Sequence, residues 1–183
     1  MKLLMTLLIL ASFSVSAQAA EICEGFGPQT PRDLTMKKGA NSINFDKAPK
    51  KTKMNLCNIH FHKSAEHKAK GFSIPAGSGK NGGWKCNETP NLKSSELAQT
   101  FAPVCKGLQT GDTVEVHWVY TSCNVDPGKG LGACLSDSCA NPQLRVETKV
   151  FLLVSGNDAS DFANYTEITK ESGYNQVTKS PKL

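Results

Sequence analysis

The sequence predicts a mostly β protein with few short helices, built on a central twisted β-sheet that carries a metal site, with long disulfide-pinned loops around it. Three observations predict this. Asn58-Ile59-His60-Phe61-His62 and Glu115-Val116-His117-Trp118-Val119 alternate polar and apolar residues with the period of two that a strand imposes. Val150-Phe151-Leu152-Leu153-Val154 is a short continuous apolar run that suits a buried strand. Seven cysteines and 15 glycines are spread along the chain, so loops and cross-links replace long helices.

Taken in order, residues 21–53 are rich in Gly, Pro, Asn and Lys and read as an irregular lead-in, with a short strand over Ser42–Phe45. The first histidine strand runs from about Met54 to Lys63. Gly71 to Gly83 holds five glycines and a proline and reads as a long surface loop ending at Trp84. Ser94–Phe101 has helix-forming residues behind a serine start and predicts a short capped helix. The second histidine strand spans Thr113 to Ser122, and Asn124 to Pro142 is another loop. The third strand falls within Arg145–Ser155, and the polar tail holds one helical turn near Ser160–Tyr165.

The N-terminus has the form of an export signal: Lys2, an apolar stretch from Leu3 to Phe13, then Ala17-Gln18-Ala19 as a small-residue cleavage site. The expected division is a signal peptide over 1–19 and a single domain over 20–183. The apolar stretch is too short for a membrane span. Glu21 and Ile22 before Cys23 argue against a lipid anchor. The expected product is a secreted or periplasmic protein without a membrane anchor. In that setting seven cysteines, none in a C-x-x-C pair, read as a disulfide framework with one thiol left over. The formal net charge is +5, and basic residues gather at Lys47, Lys50, Lys51 and Lys53 and again at Lys63, Lys68 and Lys70. With no aromatic platform between them they read as a solvated loop face, and no nucleic-acid partner is expected.

The histidines carry the chemistry. His60 and His62, two apart on a strand, point to one face, while Ile59 and Phe61 point to the other. His117 from a second strand completes three imidazole corners. Three histidines without cysteine are what an open catalytic zinc site needs, the fourth position being left to water. Cobalt or cadmium can substitute, because all-nitrogen ligation discriminates weakly among neighbouring divalent metals. Neutral imidazoles also need their other ring nitrogen held by an acceptor. Asn58 and Glu115, each two residues before a histidine, share the histidine's face and suit that role. His67 is at an odd offset from His62, so an extended strand would turn it to the other face, and a structural role is expected.

This pattern resembles the zinc site of carbonic anhydrases. N-[apolar]-H-F-H at Asn58–His62, E-H at Glu66–His67 and E-V-H-W at Glu115–Trp118 are similar to the α-type enzymes and closer still to the delta class and its bacterial relatives. The resemblance implies a zinc-dependent carbonate dehydratase that hydrates carbon dioxide reversibly to bicarbonate. It implies His60, His62 and His117 as zinc ligands and Asn58 and Glu115 as their partners. Glu66 would orient a hydroxyl residue beside the catalytic zinc-bound water, and Val119 would line the carbon dioxide pocket. No L-T-T-P segment supplies that hydroxyl, leaving Thr121, Ser155 and Thr166 as candidates, and no further histidine is assigned as a proton shuttle. Two alternatives stand beside this reading. One is a cupin-type oxygenase or isomerase, since His60-x-His62-x-x-x-Glu66 matches the first cupin motif. The other is an exported metal-binding module without activity.

Overall fold

The computed structural model describes residues 46–78, 82–99, 107–156 and 159–180. The expected signal peptide and the strand over Ser42–Phe45 lie outside the described residues, as do Cys23 and Cys105. The architecture is mostly β. Strand β1 (Asn55–Lys63), β4 (Thr113–Thr121) and β5 (Leu144–Leu152) form an antiparallel sheet in the order β1-β4-β5. Two hairpins flank it: β2 (Phe72–Pro75) with β3 (Trp84–Cys86), and β6 (Ile168–Glu171) with β7 (Tyr174–Val177).

The central strand β4 is buried along almost its whole length, with His117 the one half-buried residue. Its two faces do different work. Val114, Val116, Trp118 and Tyr120 face a core shared with Met54, Leu56, Tyr165 and Val177, and Phe151 of β5 and Phe162 pack against it. Phe151 and Phe162 meet edge to face with ring centroids 5.4 Å apart, a favoured aromatic geometry. Trp118 donates its indole N–H to the Tyr165 carbonyl at 2.9 Å, so its one polar group is satisfied inside the core. Glu115, His117, Val119 and Thr121 point to the opposite face.

A bulge in β1 sets which of its residues join which face. Leu56 pairs with Tyr120 and Asn58 with Val119, so Cys57 is an extra residue between them. Without it, Leu56 and Asn58, two apart, would share a face. With it, Leu56 enters the core and Asn58 joins His60 and His62. The extra residue is used: Cys57 is bonded to Cys134 and packs with Val119.

Several expectations need correction. The glycine-rich stretch after Gly71 contains β2, because Phe72 and Ile74 find partners in Cys86 and Lys85. The helix expected over Ser94–Phe101 is a single turn, α1 (Ser94–Leu97), where the Glu96 carboxylate accepts from the Lys93 N–H; Thr100 and Phe101 lie outside the described residues. The run Val150–Val154 is half-buried, because β5 has only β4 as a paired neighbour and one of its faces borders a cavity. The helical turn near Ser160 is a 3₁₀ turn at Phe162–Tyr165, and the β6–β7 hairpin behind it had no clear alternation to announce it.

Two disulfides, Cys57–Cys134 and Cys123–Cys139, pin the 124–142 loop, and Cys86 is a free thiol among the described residues. No helix among the described residues is long and apolar enough to cross a membrane. The two bonds close loops of very different length, with sequence separations of 77 and 16. On chain entropy alone, they stabilise by ~4.5 and ~3 kcal/mol respectively. The Cys57→Ser/Cys134→Ser pair is therefore expected to lose more stability in urea melts than Cys123→Ser/Cys139→Ser. The reverse order would show that loop length is not what these bonds act through.

Candidate metal centre

His60 and His117 are directly paired across β1 and β4, and His62 pairs with Glu115 one step along. Opposed side chains on one face of an antiparallel pair stand about 5 Å apart. The three imidazoles accordingly form a triangle with ring centroids 5.2, 5.0 and 4.7 Å from one another. One nitrogen from each lies within 4.8 Å of the others, a group able to hold a metal ion. His62 is buried and the other two are half-buried, so the triangle is open on one side only.

The outer nitrogens are held. His60 Nδ1 lies 2.7 Å from Asn58 Oδ1, and His117 Nε2 lies 2.9 Å from Glu115 Oε1. An amide oxygen and a carboxylate only accept, so each of these ring nitrogens carries the proton and the other carries the lone pair. His62 Nδ1 stands 3.3 Å from Glu66 Oε1. The arrangement thus offers three imidazoles, with the tautomers of His60 and His117 oriented by acceptors, a donor set that suits zinc.

Glu66 reaches this position through a break in the strand. Ser64 adopts a left-handed backbone (φ 71°), which ends β1 and turns the chain back across the sheet end. The Glu66 N–H then donates to Glu115 Oε2 at 2.6 Å, linking the two carboxylate residues. The break also changes the reading of His67. An odd offset from His62 implied the opposite face only for an extended chain, and here His67 lines a cavity beside His117.

That cavity, of about 450 Å³, opens beside the triangle. Glu66, Glu115 and His117 form its polar side, and Phe72, Val146 and Val150 its apolar side, with Thr148 between them. Val119 shares the face of His117 but is buried against the Cys57–Cys134 bond and is not among the residues lining this cavity. Sequence reasoning missed Val146, Thr148 and Val150. The signal is the alternation Leu144, Val146, Thr148, Val150 against Arg145, Glu147, Lys149, which merges into the continuous apolar run that follows. Of the candidate hydroxyls, Thr121 donates to the Cys134 carbonyl, Ser155 to Ala98 and Thr166 to Ala163, all away from the cavity.

Burial, and then the positive fields of protonated His117 and His62, push the pKa of His60 down to about 4. For Glu115, burial raises the carboxyl pKa. The hydrogen bonds from His117 and the Glu66 N–H outweigh it and leave the pKa below the usual value. Both shifts have the same consequence for stability. As pH falls from about 6.5 to about 4, the unfolded chain protonates its histidine before the folded chain does, and it then protonates its carboxylate first too. Stability of the metal-free protein should therefore decline steadily through that window. Urea melts at pH 7 and pH 4.5 measure it; equal midpoints would contradict the buried, neutral state of His60.

No curated protein and no solved structure matches the chain. A protein-family model does. It covers residues 51–183, which takes in both histidine strands, β5 and the whole cavity wall. That span exceeds half of the chain, and with it the cupin reading of His60, His62 and Glu66 loses its footing: the chain belongs to the delta carbonic anhydrase family.

Proposed function

We propose that this protein is an exported zinc-dependent carbonic anhydrase that interconverts carbon dioxide and bicarbonate. The observation that carries the reading is the triangle of His60, His62 and His117 beside an apolar-walled cavity, in a chain of the delta carbonic anhydrase family. His60, His62 and His117 would hold the zinc. When bound, zinc supplies hydroxide at neutral pH by lowering the pKa of water to ~7, a value taken over from carbonic anhydrases themselves.

The remaining tasks belong to the chain. Val146, Val150 and Phe72 give carbon dioxide, which has no net charge or dipole, a wall that water wets poorly. Asn58 and Glu115 keep the lone pairs of His60 and His117 directed inward. Glu66 takes the corresponding part for His62, in addition to the orienting role that the family resemblance implies for it. Buried acceptors on all three rings make the site rigid before any ligand arrives, so little reorganisation is left for the reaction to drive. Two disulfides among the described residues suit an oxidising compartment, which supports export through the 1–19 signal to the periplasm or outside the cell.

Two sets of variants test this reading. His62→Ala and His117→Ala should each abolish stoichiometric zinc binding, measured by metal analysis after gel filtration. One equivalent of zinc retained by the double variant would refute the ligand assignment. Glu115→Gln and Glu66→Gln should keep zinc but bind it ~10–100-fold more weakly and hydrate carbon dioxide more slowly. A zinc-loaded wild-type protein with no carbon dioxide hydration above buffer would leave a metal-binding module in place of an enzyme.

A further inference from the structure

The amide of Asn58 can be turned two ways with almost no change in shape, and the two have opposite consequences. With Oδ1 toward His60, the imidazole must carry its proton on Nδ1, and the lone pair sits on Nε2. With the amide NH2 toward His60, the proton moves to Nε2 and that nitrogen can no longer bind a metal. Asn58 itself does not decide between them. The deciding group is the backbone carbonyl of Gly128, which accepts from Asn58 Nδ2 at 3.0 Å. A carbonyl only accepts. Turning the amide over would set its oxygen against the Gly128 carbonyl oxygen, at a residue only 4% exposed.

The carbonyl is itself held in place. The Gly128 N–H donates to the Cys57 carbonyl at 3.0 Å, so Gly128 is bonded to both residues of the step Cys57–Asn58. A Cβ at Gly128 would stand 3.0 Å from the Cβ of Ala133, closer than such atoms ordinarily pack, so the loop would have to give there to take a side chain. Ala133 precedes Cys134, whose bond to Cys57 returns the loop to β1, and Cys123–Cys139 closes it a second time. None of these residues belongs to the imidazole triangle.

We propose that Gly128 is a positioning residue for the metal site: its carbonyl, held by the disulfide-closed loop, fixes the amide of Asn58 and through it the metal-binding tautomer of His60. This rests on the reading of His60 as a ligand. Gly128→Ala should displace the loop, because two Cβ atoms have no flexible end to move aside. Zinc affinity, measured by competition with a chromophoric chelator, should fall about tenfold, the size of effect typical for a partner that orients a ligand. The nitrogen-15 NMR spectrum of the metal-free variant should show His60 losing its single Nδ1–H tautomer. Adding Ala133→Gly, which reopens the space, should restore both.

Asn58→Asp separates positioning from general damage. Asn58→Asp removes the donor to the Gly128 carbonyl and so uncouples His60 from the loop, while a carboxylate still accepts from His60 in either orientation. In that background Gly128→Ala should cost no further affinity. The proposal is overturned by wild-type affinity and tautomer in Gly128→Ala. It is equally overturned if Gly128→Ala costs the same affinity with Asn58 in place as it does on top of Asn58→Asp. Wild-type zinc affinity in His60→Ala would instead overturn the ligand assignment on which the proposal stands. The two failures are thus told apart.

Discussion

The antiparallel pairing of β1 with β4 is the constraint on which the rest depends. It sets His60 opposite His117 and puts Ile59 opposite Trp118 on the other side. A one-residue slip of β1 would turn His60 and His62 into the core and Ile59 and Phe61 toward the site. The register is secured from the apolar side, where Val116, Trp118 and Tyr120 are almost fully buried. Stability and metal geometry are therefore two faces of one pairing. The bulge at Cys57 lets that pairing serve both, since it brings Leu56 into the core and Asn58 onto the site without moving either along the chain.

Much of this was legible in the sequence, because strand alternation is local. The H-x-H pair, the E-V-H triplet and the asparagine two residues upstream each report their face through a period of two. The two histidine strands match within a residue of their ends, whereas the third, expected on the apolar run Val150–Val154, runs from Leu144 to Leu152. What alternation cannot carry is a change of phase. The bulge at Cys57 and the left-handed Ser64 each break the period, and both alter which residues meet the site. His67 was assigned to the far face for this reason. Partners chosen by tertiary contact were equally invisible: Gly128 looked like one glycine of a loop, and the pairing of the cysteines left many connectivities open.

Electrostatics explain why three imidazoles tolerate such proximity. For His60, burial first, and then the charge that His117 and His62 carry when protonated, lower the pKa to about 4. That ring is held neutral before any metal is considered. Glu115 does the complementary work: its carboxylate is kept ionised by the same hydrogen bonds that direct His117. The negative charge lies on the outer side of the rings, where it strengthens them as donors without competing for the position they surround.

The division of labour between the two sides of the site follows from this. For His60 on β1, orientation comes from a neutral amide held by a loop, so its precision depends on disulfides and on the close contact at Gly128 and Ala133. On the β4 side, orientation comes from a charged carboxylate two residues away on the same strand, bonded in turn to the Glu66 N–H. The first is a mechanical constraint and the second an electrostatic one. Protonation at low pH weakens the second and leaves the first intact, whereas reduction of Cys57–Cys134 removes support from the first. A metal site assembled from both does not lose all of its orienting contacts under either stress. The price is reliance on a loop tied to the sheet by Cys57–Cys134 and by the hydrogen bonds of Gly128 with Cys57 and Asn58 and of Thr121 with the Cys134 carbonyl.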